Sequence, residues 1–138
     1  DRLQRLIVAG AVHPGTDGID PEARRQLDLR LKHACLLARS FREAGFTAII
    51  DDIVIGSAVD DLCRHLNGVP FTFVMLLPDF DHVKQRWIDM ASPFAERWDW
   101  IDDEIRNNTQ RIGLWLDTTT LDSADTVDRI LQHLLADS

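Results

Sequence analysis

The sequence predicts an α/β fold in which a parallel sheet lies between two layers of helices. Three short apolar runs, at 46–53, 70–77 and 112–116, lack polar alternation and are typical of strands buried on both faces. Helical patterns alternate with these runs, as expected for βαβ units with right-handed crossovers. The chain has 138 residues and contains no linker or internal repeat. We therefore expect one domain over 1–138.

The composition limits the classes of function. Hydrophobic residues make up 45% of the chain and charged residues 28%, so the chain can form a core. The net charge of −8 argues against broad binding to nucleic acid or to an anionic membrane, because both require a basic surface. No apolar run is long enough to cross a bilayer and no signal peptide is recognisable, so we expect a cytoplasmic protein. Cys35 and Cys63 lie in apolar helical patterns, which favours small buried side chains over a disulfide or a reactive thiol.

The first part of the chain contains a strong helix-start signal. A helix is predicted over 1–12, followed by a loop over 13–20. Asp20 before Pro21 predicts a long helix, since aspartate is a good N-cap and proline suits the first helical position. Gly45 is expected to end this helix.

The remaining elements follow from the same kinds of signal. They are, in order, a strand at 46–53, a helix at 57–66, a strand at 70–77, a helix from Asp79 to about Ser92, a short helix within 95–110, a strand at 112–116 and a last helix from Asp122 or Ser123. The segment at about 92–110 is rich in charges and tryptophan, and it is expected to act as a lid.

Asp51 and Asp52 end the first predicted strand, where ligands bind in parallel sheets. Because neighbouring side chains on a strand point to opposite faces, only one of the two should face a given pocket, and Asp52 is favoured. Such a carboxylate can orient a substrate hydroxyl or hold a metal through water. The alternative is a helix cap or a turn carboxylate.

Arginines form a second candidate set, because their planar forks suit phosphate. Arg86 follows the second predicted strand, and Arg97, Arg106 and Arg111 precede the third. The alternative is that these arginines pair with neighbouring acids on the surface.

Asp1 and Arg5 share a helical face, so an arginine-held carboxylate could act as a general base. A surface ion pair is the alternative. The histidines and cysteines show no ligand spacing, and no metal site is predicted from them. The sequence also contains no Gly-x-x-x-x-Gly-Lys-Ser/Thr loop.

Several of these segments together resemble the P-loop small-molecule kinases of the chloramphenicol-phosphotransferase-like type. The resemblance covers nearly the whole chain. It is carried by Asp1 with Arg5-Leu6-Ile7-Val8-Ala9-Gly10, by Ala44-Gly45-Phe46 leading to Ile50-Asp51-Asp52, by Phe73-Val74-Met75-Leu76-Leu77-Pro78 leading to Arg86, and by Gln110-Arg111-Ile112-Gly113-Leu114-Trp115-Leu116-Asp117-Thr118-Thr119.

The resemblance implies a P-loop nucleoside-kinase-like fold and transfer of the γ-phosphate of ATP, with Mg²⁺, to a hydroxyl of a small molecule. It implies that Asp1 is the base and that Arg86 and Arg97 are catalytic lid residues. It places Arg5, Asp51 and Asp52 on the substrate side. Arg111, Asp117, Thr118 and Thr119 would bind the nucleotide.

One departure from that family is large. Its members carry a first strand, the phosphate-binding loop, a helix and a second strand ahead of the position of Asp1, and these 138 residues contain none of them. The fold is therefore expected to be incomplete, with poor ATP binding. A catalytically inactive interaction module that forms a homodimer through open strand edges is the alternative.

Overall fold

The fold is mostly helical α/β with a small parallel sheet of two strands. The structure is a computed structural model, and it describes residues 2–15, 19–90 and 99–136. The chain divides into two units, each described by itself. The helical unit comprises Asp1–Val69 with Arg97–Gln110, and the sheet unit comprises Pro70–Glu96 with Arg111–Ser138. The expectation of one domain stays a prediction.

The helical unit is built on α1, Pro21–Glu43. The Asp20 carboxylate accepts a hydrogen bond of 2.8 Å from the backbone N–H of Ala23, and Pro21 occupies the first helical position. This cap satisfies a backbone donor that the helix itself leaves open. The predicted start of the long helix is thereby confirmed. The helix ends at Glu43, and Ala44 and Gly45 form a turn, as expected.

A second helix, α2 at Ala58–Leu66, packs against α1. Its apolar stripe was predicted correctly, and its members are buried together with apolar side chains of α1 to form the core of this unit. The buried side chains are Val59, Leu62 and Leu66 on α2, with Ala23, Leu31 and Cys35 on α1. Asn67 ends α2 in the left-handed conformation, at φ 48°. Of the described helices, none is long and apolar enough to cross a membrane.

Three short elements complete the helical unit. The predicted helix over 1–12 is only a 3₁₀ turn, Gln4–Leu6. Further along, α4 at Asp99–Asp103 continues into a π-helical turn, Glu104–Asn108. The Thr109 hydroxyl accepts from the N–H of Gly56 at 2.8 Å and donates to the carbonyl of Glu104 at 2.9 Å. This buried hydroxyl ties the π-helical turn to the loop before α2.

The sheet unit contains both strands. β1 at Val74–Leu76 pairs in parallel with β2 at Leu114–Leu116, and Met75 lies opposite Trp115. α3, Phe80–Asp89, follows β1, and α5, Ser123–Ala136, follows β2. The strands predicted at 70–77 and 112–116 therefore exist in shorter form, and their parallel pairing is confirmed.

The strand predicted at 46–53 is wrong, and the sheet of the described residues has two strands and not three. No residue of 46–53 is in a strand, and the side chain of Ile49 is 89% exposed. The segment has the composition of a buried strand, but a strand also needs a neighbour for its backbone N–H and C=O groups. Within the described residues, no backbone hydrogen bond joins residues 47–51 to another segment.

The two cysteines differ in environment. Cys35 is fully buried, as predicted, and burial raises the pKa of its thiol because the interior disfavours the thiolate. The same expectation for Cys63 is wrong, since that thiol is exposed. Cys63 follows Leu62 on α2 and therefore lies outside the buried apolar stripe of that helix.

The entry into β2 depends on the lack of a side chain at Gly113. Its φ of +62° lies in the left-handed region. A Cβ built there would lie 2.2 Å from the carbonyl oxygen of Phe73, which accepts the hydrogen bond of 2.9 Å from Leu114 that begins the pairing of the strands. Any larger residue must therefore displace β2 from β1.

We expect Gly113→Ala to destabilise the protein by roughly 2–5 kcal/mol, the sum of left-handed strain and overpacking. The matched control is Gly68→Ala, because Gly68 has φ +77° but nothing within 4 Å of its Cβ position. That control should lose only about 1–2 kcal/mol. Thermal unfolding followed by circular dichroism measures both, and equal losses would contradict the close approach at Gly113.

Candidate functional site

The predicted site residues fall into both units. Arg5, Asp51 and Asp52 belong to the helical unit, and the sheet unit holds Arg86, Arg111, Asp117, Thr118 and Thr119. Asp1 and Arg97 lie outside the described residues. Arg86 lies on α3, but its side chain is not among those described.

Asp52 is held by an ion pair that was not predicted from the sequence. Its carboxylate accepts two hydrogen bonds from Arg30 of α1, at 3.0 Å from Nε and 2.5 Å from Nη2. The backbone N–H of Ile53 donates to the same carboxylate at 2.8 Å. The side chains of Arg30 and Asp52 are only 15% and 16% exposed. A bidentate pair of this kind fixes the orientation of the Asp52 carboxylate and neutralises its charge.

Asp51 has the opposite environment. It is exposed, and its carboxylate makes no hydrogen bond or ion pair with any described residue. The structure thus separates the two neighbours, with Asp52 directed to α1 and Asp51 to solvent. A signal for the pair did exist, because Arg30 falls on the apolar stripe of α1 between Leu27 and Leu31. A charge in such a stripe indicates a buried partner.

Arg5 lines a shallow groove of about 390 Å³ in the helical unit, together with Gln4, Ile7, Val8, Ala11 and His13. Gln26 of α1 holds this segment in place and is only 3% exposed. Its Oε1 accepts from the N–H of Val12 at 2.8 Å, and its Nε2 donates to the carbonyl of Gly10 at 2.8 Å. The groove is therefore anchored through one buried amide.

The amide of Gln26 also reaches two further side chains. Gln4 donates to its Oε1 at 3.3 Å, while the Oε1 of Gln4 itself is buried with no partner among the described residues. Nε2 of Gln26 donates to Glu22 at 2.7 Å. Hydrogen bonds from Arg25 first, and from Gln26 second, lower the pKa of Glu22 to about 2, because both favour the carboxylate.

In the sheet unit, the turn after β2 is cross-linked to the turn after β1. Leu77 donates its N–H to the carbonyl of Leu116 at 2.8 Å. The hydroxyl of Thr119 accepts from the N–H of Asp79 at 2.7 Å and donates to Asp117 at 2.5 Å. Asp117 and Thr119 therefore meet at the carboxyl ends of the two parallel strands, the edge where ligands bind in α/β sheets.

A further hydrogen bond within the turn after β2 joins Thr119 to Asp117. The N–H of Thr119 donates to Asp117, at 2.9 Å. The side chains of Asp117 and Thr119 consequently shape the turn, and Thr118 is half-buried beside them. Asp79 was not predicted as a site residue, although its position directly after a strand and Pro78 was a visible signal.

Arg111 is not brought to this edge. It precedes β2, whereas Asp117 to Thr119 follow that strand. Its guanidinium lies 4.8 Å from the centre of the Trp115 ring, a cation–π contact. The ring is fixed in turn by a hydrogen bond of 3.1 Å from its Nε1 to the carbonyl of Ile112. Trp115 was predicted as a core residue and is half-buried.

The ion pair at Asp52 gives a direct stability prediction. Asp52→Asn should cost roughly 2–3 kcal/mol, somewhat less than for a fully buried pair, because it leaves the Arg30 charge without its partner. The matched control is Asp51→Asn, next along the chain and exposed, which should change stability by no more than about 0.5 kcal/mol. Urea unfolding measures both.

Adding Arg30→Met to Asp52→Asn should recover part of the loss, because no buried charge then remains unpaired. A similar loss for Asp51→Asn and Asp52→Asn would contradict the structural role of the pair.

Comparison with known proteins found no matching family model. Neither a curated protein nor a solved structure is significantly similar to the chain.

Proposed function

We propose that this chain is part of an ATP-dependent phosphotransferase, which moves the γ-phosphate to a hydroxyl of a small molecule, in a form that lacks the phosphate-binding loop. The observation that supports it best is the turn Asp117–Thr119, tied to Asp79 at the carboxyl ends of two parallel strands. Ligands of α/β proteins bind beyond that edge. The proposal assigns the nucleotide side to Thr118 and the backbone of this turn, and it gives no role to Arg111, which lies before β2.

The acceptor side is assigned to the helical unit. The groove at Arg5 combines a cation and an imidazole, from His13, with apolar walls from Ile7 and Val8, which suits a small molecule with an apolar body. Asp51 is exposed and free to accept a hydrogen bond from a hydroxyl. Asp1 is proposed as the base, and Arg86 and Arg97 as the arginines that neutralise the transferring phosphate.

ATP and Mg²⁺ do not fit the described residues alone. No group of three or more His, Cys, Asp or Glu side chains within 2–15, 19–90 and 99–136 could hold a metal ion. The sequence also has no loop of the kind that cradles phosphates with backbone N–H groups and a lysine. The proposal therefore assigns phosphate and metal binding to a segment outside these 138 residues.

The test compares the chain with a longer form that includes the segment encoded upstream. We expect ATP with Mg²⁺ to stabilise the longer form by about 2.7 kcal/mol at a ligand concentration 100 times its Kd, and to leave the 138-residue chain unchanged. Thermal unfolding measures both. In the longer form, Asp1→Asn should keep the ATP-dependent shift and lose phosphate transfer, since the base does not hold the nucleotide.

Two results would overturn this proposal. One is an upstream segment without a Gly-x-x-x-x-Gly-Lys-Ser/Thr loop. The other is a longer form with that loop whose unfolding temperature does not respond to ATP and Mg²⁺.

The segment 46–53 favours a second candidate function, that of an interaction module that forms a homodimer. Phe46, Ile49 and Ile53 are all more than half exposed. The backbone of residues 47–51 is not paired with another segment of the described chain. An exposed, apolar and unpaired stretch of strand-like composition is a template for pairing with a second copy.

Under this second proposal, we expect the 138-residue chain to sediment as a dimer at tens of micromolar. Ile49→Lys should give a monomer, because a charge at an exposed position of the segment opposes edge pairing. The control is Val127→Lys, an exposed apolar residue on α5. A wild-type chain that sediments as a monomer would exclude this function and leave the first proposal untouched.

A further inference from the structure

A cavity of about 330 Å³ lies at the carboxyl end of α1, and none of its lining residues belongs to the proposed phosphotransferase site. All of its lining residues belong to the helical unit. They include Arg39, Arg42, Glu43, Phe46, Thr47 and Val69. The lining residues therefore include two arginines, one glutamate, one threonine and two apolar residues.

The two arginines are unpaired. Within the described residues, neither the guanidinium group of Arg39 nor that of Arg42 makes a hydrogen bond or an ion pair. Other arginines of the chain do find carboxylates, namely Arg25, Arg30, Arg64 and Arg106. The chain has 23 acidic and 15 basic residues, so partners are plentiful. Two neighbouring cations left without partners at one cavity are consistent with an anion from outside the chain.

The apolar wall of the cavity is held in place. The ring of Phe46 meets Phe41 edge to face, with centroids 6.4 Å apart and planes at 83°. The backbone N–H of Phe46 also donates to the carbonyl of Phe41 at 3.0 Å. Phe46 nevertheless remains 63% exposed, and Val69 is half-buried at the same cavity. A fixed and accessible aromatic ring next to two arginines can contact the organic part of an anion.

We propose that this cavity binds a small phosphate monoester with an aromatic or apolar body. The two guanidinium groups match the two charges of such a phosphate, and each can donate two parallel hydrogen bonds. Glu43 reduces the net charge of the cavity and so disfavours a polyphosphate. None of the residues that line this cavity belongs to the proposed acceptor site, so this proposal does not depend on that one.

The test uses phenyl phosphate, inorganic phosphate and benzoate, measured by titration calorimetry with the 138-residue chain. We expect phenyl phosphate to bind more tightly than the other two, since it alone offers both the dianion and the ring. Arg39→Gln with Arg42→Gln should weaken its binding by a factor of ten or more, because charged hydrogen bonds are lost. The control is Arg129→Gln, an exposed arginine of α5, which should leave the affinity unchanged.

Phe46→Ala provides a second and independent variant. It should weaken the binding of phenyl phosphate and leave the binding of inorganic phosphate unchanged. This comparison can be made even if the double arginine variant does not fold. Circular dichroism checks the fold of each variant. The proposal is overturned if phenyl phosphate does not bind, if Arg129→Gln weakens it as much as the double variant, or if benzoate binds equally well.

Discussion

The ion pair between Arg30 and Asp52 is the constraint on which much of the helical unit depends. The segment 46–53 has no sheet partner among the described residues, so its position is decided at its two ends. At the start, the backbone and ring of Phe46 contact Phe41 of α1. At the end, Asp52 accepts two hydrogen bonds from Arg30 of the same helix. Both anchors lie on α1, and the helix therefore serves as the support that a neighbouring strand would otherwise provide.

The mostly buried pair between Arg30 and Asp52 can hold the segment in place because breaking it leaves an unpaired charge away from water.

The same helix also arranges the polar groups around the two proposed binding regions. Gln26, near its start, fixes the segment that carries the groove at Arg5, through hydrogen bonds to Gly10 and Val12. Arg39 and Arg42, near its end, line the second cavity and stay unpaired within the described residues. In its first half the helix thus satisfies its buried polar groups, and in its last turns the guanidinium groups of Arg39 and Arg42 have no partner among the described residues. Cations near the carboxyl end are also favoured by the helix dipole, which explains why the helix tolerates them there without partners.

Local signals in the sequence predicted α1, α2 and α5, although the helix predicted over 1–12 is only a 3₁₀ turn. The other features depend on contacts between residues distant in sequence. Asp20 with Pro21 predicted the start of α1, because a cap and a first-turn proline act over a few residues. The strand predicted at 46–53 failed for the opposite reason, since its hydrogen bonds need a partner distant in sequence. Asp52 could be proposed as a site residue from its place after an apolar run, but its partner Arg30 lies 22 residues away. The clue was present in the apolar stripe of α1, where Arg30 and Gln26 interrupt a pattern that otherwise reads as core.

The pairing of Asp52 changes which carboxylate can serve a ligand. A carboxylate that already accepts from Arg30 and from the N–H of Ile53 has its charge neutralised and its direction fixed, so it acts best as a positioning group. Asp51 retains a free carboxylate in an exposed position. The favoured residue of the sequence-based interpretation was Asp52, on the argument that it lies nearer the end of a strand. Because the segment forms no strand, that argument loses its basis, and availability of the carboxylate becomes the deciding property. By this reasoning Asp51, rather than Asp52, is the residue that we propose for contact with an acceptor hydroxyl, and Asp52 holds the backbone that presents it.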